Sequence, residues 1–272
     1  VDLNWNVRDK NLVKVSIIAG AQRGVFRTYA LDQLVRLQVR GRDKKGVDDP
    51  TNWDCSVTVV NIETGETTFT CMFGGAGKDK YAVRNLAWSP DGKQLVVVGD
   101  FGKAHVLDAE AGIIVHTIYN NGDKIWAADW SPLGNKIVVG GHCQNLAMYT
   151  MNNESSAAKE VWAQGWLEKQ NAVIEAVAFS PDGRLVAAGG YDSQVSVRSA
   201  ESGDIYYVLE RQGTIHALAW APSGLNLAIG DDRKHLIAIN GVERMAPPVT
   251  QISLDETVFK PLPITLKEAD TE

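Results

Sequence analysis

A six-residue element recurs four times in this chain. Ala87-Trp88-Ser89-Pro90-Asp91-Gly92 returns as Asp129-Trp130-Ser131-Pro132-Leu133-Gly134, then as Ala178-Phe179-Ser180-Pro181-Asp182-Gly183, and again as Ala219-Trp220-Ala221-Pro222-Ser223-Gly224. Its aromatic residues lie 42, 49 and 41 residues apart. Four copies at a nearly constant period mean a tandem array of one supersecondary unit. A unit of that size cannot bury both of its faces alone, so neighbours must stack on one another.

The surroundings of each copy say what the unit is. A short apolar strand precedes the aromatic, as in Val173 to Phe179, and a second follows the glycine: Gln94 to Val98, Lys136 to Val139, Leu185 to Ala188 and Leu225 to Ile229. A tight turn such as Gly99-Asp100 or Gly189-Gly190 leads into a third, alternating strand such as Gln194 to Arg198. These runs are too short and too β-branched for helices, and turn signals return every 8–12 residues or so. Residues 80–240 carry no 3.6-residue periodicity, which sets parallel α/β folds aside. Within the hexapeptide, proline supplies φ near −65° for the first central turn position. Asp tolerates the second, and glycine takes the positive φ needed to enter the next strand. The fold expected is all-β, with four-stranded antiparallel blades arranged radially.

These residues resemble the WD40 family of β-propellers. The family pattern continues into a third strand ending in Trp-Asp with a glycine four residues on. Here that slot reads Val60-Asn61, Leu107-Asp108, Tyr149-Thr150, Arg198-Ser199 and Ile239-Asn240, and Gly65, Gly112 and Gly203 stand at the expected offset. The family's Gly-His dipeptide is missing from every blade, so its Asp–His–Ser–Trp hydrogen-bond tetrad is not expected. The resemblance covers residues 54–240. Upstream, Leu34 to Val39 and Ser56 to Val60 read as the second and third strands of a further blade, joined by an enlarged, mobile loop over Gly41–Trp53. Residues 1–53 and 241–266 read as degenerate or closing blades, with Val13 to Ile18 and Val249 to Leu254 strand-like, and residues 267–272 as a tail. At about 40 residues per blade the whole chain is expected to be one propeller of seven blades, six being the alternative.

Composition narrows the function. Hydrophobic residues make up 44% of the 272 and charged residues 22%, a globular profile. The net charge of −6 disfavours nucleic acid as the partner, because phosphate binding needs a positive field. No stretch reaches ~18 uninterrupted apolar residues, so no membrane-spanning segment is expected. The chain opens at Val1 without a basic-plus-apolar leader; no secretory signal is expected, and the missing Met points to a natural start further upstream. Cys55, Cys71 and Cys143 are too few and too scattered for a disulfide framework or a metal set, and the five histidines are scattered too. A reducing, intracellular location, cytoplasmic or nuclear, follows, with no metal and no cofactor expected.

Several features resemble catalytic or binding motifs. Gly74-Gly75-Ala76-Gly77-Lys78 lacks the four-residue gap, the Ser/Thr and the following helix of a phosphate loop, and reads as a linker between blades. Asp129 holds a carboxylate where the other copies have Ala87, Ala178 and Ala219; a hydrogen bond to a neighbouring blade is expected, since no base–nucleophile pair is nearby. No Gly-x-Ser-x-Gly element is present, which argues against a hydrolase. Arg36, Arg40, Arg42, Lys44 and Lys45 form a basic run, followed at once by Asp48 and Asp49, and read as a solvated surface.

The resemblance itself implies a site. WD40 partners dock over the narrow top opening, using residues four and six places before the hexapeptide aromatic and one in the turn between the second and third strands. That rule selects Arg84, Trp126, Glu175 and His216, then Ala82, Lys124, Val173 and Thr214, then Phe101, His142, Tyr191 and Asp232. Trp126, Phe101 and Tyr191 are expected to face solvent, and aromatics beside Arg have the composition of an interaction hot spot. Arg84 or Lys124 would accept a carboxylate of the ligand. The function expected is a non-enzymatic scaffold that binds a protein or peptide segment over this face, within a multi-subunit complex. The alternatives are a regulatory propeller of a larger catalytic protein, or a nucleic-acid-associated factor using Arg36–Lys45.

Overall fold

The computed structural model describes residues 25–30, 33–40, 54–61, 66–73, 83–119, 124–142, 145–151, 158–165, 173–233 and 236–240. All regular structure among them is strand. The strands fall into five consecutive antiparallel sheets, each a simple meander. The first holds β1 (Val25–Ala30), β2 (Gln33–Arg40), β3 (Asp54–Asn61) and β4 (Thr67–Met72). The second holds β5 (Val83–Trp88), β6 (Gln94–Gly99), β7 (Lys103–Asp108) and β8 (Ile114–Tyr119). The third holds β9 (Ile125–Trp130), β10 (Lys136–Gly141), β11 (Asn145–Thr150) and β12 (Lys159–Gly165). The fourth holds β13 (Ile174–Phe179), β14 (Leu185–Gly190), β15 (Gln194–Ser199) and β16 (Ile205–Glu210), and the last β17 (Ile215–Trp220), β18 (Asn226–Asp231) and β19 (Leu236–Asn240). First strands of successive sheets adjoin, β5 to β9 to β13 to β17, which is the radial stacking of propeller blades. Of the stretches expected as degenerate or closing blades, residues 25–30 and 33–40 form β1 and β2 of the first sheet, while Val13 to Ile18, residues 241–266, the Gly41–Trp53 loop and the Gly74–Lys78 linker lie outside the described residues.

The hexapeptide does what its residues dictate. The Gly92 amide donates to the Ser89 carbonyl at 2.9 Å, and Gly92 takes φ 70°. The Ser89 hydroxyl donates to Asp91 Oδ1 at 2.6 Å and accepts from the Gln94 amide at 2.8 Å, locking the turn to the start of β6. Ser180, Asp182 and Leu185 repeat the arrangement in the fourth sheet. Leu133 and Ser223 replace the aspartate in the other two copies, yet Gly134 and Gly224 keep positive φ.

The hexapeptide aromatic joins sheets. Trp88 packs with Val57 and Val59 of β3; Trp130 with Val96, Val98 and Val106 of the second sheet; Phe179 with Leu146, Met148 and Trp162 of the third; Trp220 with Val195, Val197 and Tyr207 of the fourth. Each aromatic is thus buried against the preceding blade. Asp129 makes the inter-sheet bond expected of it: its Oδ2 accepts the Phe179 amide at 2.8 Å. In the degenerate Trp-Asp slot of β15, Arg198 is 2% exposed. Its guanidinium donates to the Gly203 carbonyl and the Ser196 hydroxyl, both at 3.3 Å. Burial pulls its pKa down to about 10, so it keeps its charge at neutral pH.

Candidate partner-binding rim

Arg84, Trp126, Glu175 and His216 are the second residues of β5, β9, β13 and β17, so the stacking of first strands lines them up along one rim. The loops above are tied to the same level. The amides of His142, Tyr191 and Asp232 donate to the carbonyls of Lys124, Val173 and Thr214, at 2.9, 3.0 and 3.1 Å. One backbone bond per sheet therefore sets the turn residue beside the residue that enters the first strand. A side chain on Gly190 would collide with the Val173 carbonyl, which is why the turn closes so tightly. Val173 itself is buried and offers nothing to a ligand, and Ala82 lies outside the described residues.

The centre of the rim is a connected network across three sheets. Arg84 donates from Nε and Nη2 to the two oxygens of Asp100, at 3.0 and 2.9 Å. Trp126 Nε1 donates to the same Asp100 Oδ1 at 2.9 Å. The Arg84 guanidinium carbon stands 4.5 Å from the Trp126 ring centroid, in cation–π contact. His142 meets the Trp126 ring edge-on at 4.3 Å, and Tyr191 does so at 6.0 Å. Tyr191 is 49% exposed, Lys124 and His142 are exposed, and Trp126 is half-buried. Trp126 was expected to face solvent; the structure turns its nitrogen inward to Asp100 and leaves part of its ring at the surface.

Charge fixes this network. Burial by itself would raise the Asp100 carboxyl, but the Arg84 bond and charge, the Trp126 bond and the nearby Lys124 outweigh it, and the pKa ends below the ordinary carboxylate value. Burial, followed by the Glu175 charge, raises the Tyr191 phenol against a smaller pull from Arg84, so both charges act on it. A lowered carboxyl pKa contributes stability that is complete above the unfolded value and is lost as pH falls through the folded one. Asp100→Asn is therefore expected to melt about 2–4 °C below wild type at pH 7, roughly 1 kcal/mol after discounting for the exposure of Arg84. The difference should close as pH falls below the usual carboxylate range. A gap that stays constant down to pH 3 would show that the Asp100 charge has no part in it.

The other expected site residues do not join this network. His216 Nδ1 lies 2.9 Å from Glu175 Oε2, a separate bridge between the first strands of the fourth and fifth sheets. Asp232 is exposed at the far end of the rim. Phe101 departs from expectation. It stacks on Phe73 at 5.5 Å, lies tilted against His105 at 5.3 Å, and packs against the core between the first and second sheets. Asp100 holds Nε and Nη2 of Arg84, so a ligand carboxylate gripped by those two nitrogens would have to displace it. Asp100 is the residue the sequence reading missed. It was visible as half of the Gly99-Asp100 turn, one position before Phe101, but nothing in that turn says that it reaches Arg84 and Trp126.

Among the described residues no His/Cys/Asp/Glu group could hold a metal ion, and no helix is long and apolar enough to cross a membrane. Cys71 is a free thiol that burial raises in pKa, so it is a poor nucleophile. Side chains of the basic Arg36–Lys45 run lie outside the described residues.

The sequence model of the "Anaphase-promoting complex subunit 4 WD40 domain" matches residues 56–133 and 129–223. Actin-interacting protein 1 of Drosophila melanogaster is 27% identical over 184 residues, covering 64% of this chain and 29% of that protein. Small ribosomal subunit protein RACK1y of Oryza sativa subsp. japonica is 30% identical over 93 residues, 34% of this chain and 26% of that one. Eukaryotic translation initiation factor 3 subunit I of Lodderomyces elongisporus is 26% identical over 148 residues, 48% and 40% of the two chains. The chain thus spans less than half the length of each of these relatives.

Proposed function

The chain belongs to the WD40-repeat family, and from that premise we propose that it is a non-enzymatic scaffold, one propeller domain over residues 1–272, that holds a protein or peptide segment on the Trp126 rim. The observation that carries this is the Arg84–Asp100–Trp126–Tyr191 network, which spans three sheets. Binding to a surface whose side chains are already held in place costs little ordering entropy. Aromatic rings with arginine beside them are where interface energy concentrates. In this reading the ligand lays an apolar side chain against Trp126 and Tyr191 and offers an acid to Lys124. The relatives' names speak of an actin-interacting protein, a ribosomal subunit protein and an initiation-factor subunit, which favours membership of an assembly in an intracellular setting. Since the chain spans under half of each relative, it can equally serve as the docking domain of a longer protein.

Affinity capture of tagged wild-type protein and of a Trp126→Ala/Tyr191→Ala double variant, each followed by mass spectrometry, tests the reading. The variant is expected to lose at least one partner that wild type recovers, while its melting curve stays cooperative. Recovery of the same partners in the same yield would rule the rim out as the docking surface.

A further inference from the structure

A second surface lies on the circumference, away from the rim. β8 is the outermost strand of the second sheet and, among the described residues, has a strand on only one side, β7. A cavity of about 570 Å³ runs along it, lined by all six residues of β8 and, across from them, by Tyr149, Ala158 and Glu160 of the third sheet. That volume falls within the range of about 300–1,000 Å³ typical of ligand sites. Ile113 and Ile114 are 59% and 46% exposed and Tyr119 is 68% exposed. The outer strands β4, β12 and β16 each carry only one exposed large apolar residue: Met72, Val161 and Tyr206. An edge strand with a concentration of exposed apolar side chains is a template for another strand.

Charge gives this cleft a direction. Lys103 pairs with Tyr119 across β7 and β8, and its ammonium stands 5.1 Å from the Tyr119 ring centroid. A cation therefore marks the end at which β8 finishes. Glu160 is exposed, with the Tyr149 hydroxyl at 3.5 Å. Glu160 pairs with Tyr149 as Ile114 pairs with Leu107, and these are matching positions in neighbouring sheets, so Glu160 is level with the beginning of β8. The register shift between Val106 and Leu107 is also confined to that beginning, and the stretch His116–Tyr119 pairs regularly with β7.

We propose that this cleft takes an extended segment of a partner polypeptide as a fifth, antiparallel strand on β8, with acidic side chains at the segment's N-terminal end and basic ones at its C-terminal end. Antiparallel addition sets the incoming N-terminal end beside Tyr119 and Lys103 and the C-terminal end beside Ile114 and Glu160. Backbone hydrogen bonds to the outer edge of β8 supply affinity, apolar side chains cover Ile114 and Tyr119, and the two charges choose the direction.

The test uses fluorescein-labelled Glu-Glu-Val-Thr-Val-Lys-Lys, its charge-reversed counterpart Lys-Lys-Val-Thr-Val-Glu-Glu, and the first peptide N-methylated at its central residues. Each is titrated with the full chain by fluorescence anisotropy. The first peptide is expected to bind at least about tenfold more tightly than the second, and N-methylation should abolish binding. The Lys103→Glu/Glu160→Lys variant should exchange the preference, its fold confirmed by an unchanged melting curve, and Trp126→Ala should bind the first peptide as wild type does. Equal affinity for the two directions, absence of saturable binding up to millimolar peptide, or an unchanged preference in the charge-exchanged variant would each overturn the proposal. Loss of binding in Trp126→Ala would move the peptide to the rim and overturn it as well.

Discussion

Trp130→Ala is expected to lower stability by about 3–5 kcal/mol, the range for truncating a large aromatic in a packed core. Trp130 is 5% exposed and lies between the second and third sheets, in one buried cluster with Val96, Val98 and Val106 of the second sheet and Ile137 of β10. Removing it leaves a cavity at a seam held by side chains, since among the described residues no ladder of backbone hydrogen bonds joins one sheet to the next. Its Nε1 also donates to the Gly134 carbonyl at 3.2 Å, so the turn that starts β10 loosens too. Leu133→Ala in the same turn is the control. Leu133 is 68% exposed, and its replacement should change stability by no more than about 0.5 kcal/mol. Urea unfolding of both variants decides the matter. A Trp130 variant that unfolds at the wild-type midpoint would mean that the sheets are not packed in this register.

Trp126→Ala is expected to weaken partner binding at least about thirtyfold, equivalent to ~2 kcal/mol for a desolvated aromatic anchor. It is also expected to cost stability, roughly 1–2 kcal/mol, because the ring carries the Arg84 guanidinium and the indole N–H satisfies Asp100. Trp126→Phe separates the two effects. It keeps an aromatic surface for the ligand and removes the donor, so binding should fall less than stability does. Isothermal titration with the recovered partner, alongside thermal melts, measures both. If Trp126→Ala binds as tightly as wild type, the ring is a strut of the rim and not a contact.

The rim also shows how far a family rule carries. The rule selected twelve residues by position, and the backbone bonds from His142, Tyr191 and Asp232 set three of the turns at the level of the strand start. Position does not say what a side chain does there. Arg84 is neutralised by Asp100, Phe101 turns to Phe73 and His105, and Glu175 and His216 pair with each other. Whether these residues, and Asp100 beside them, touch a ligand is what the capture and titration experiments decide.

The repeat by itself determined the blade. Turn chemistry in Ser-Pro-Asp-Gly, the alternation of the flanking strands and the spacing of the aromatics are local properties, so β6, β10, β13, β14, β15 and β18 begin and end within about two residues of where the chain's own pattern puts them. The aromatic's burial follows for the same reason, since each unit has one large ring that its own sheet cannot cover. Tertiary structure alone decided which side chains meet across sheets. Asp100 is 26 residues from Trp126, and Asp129 is 50 from the Phe179 amide it accepts. Each of those pairings needs two hairpins to be set at one height by the packing of Trp130 and its equivalents. No local pattern encodes that height, because it arises only when neighbouring blades close on one another.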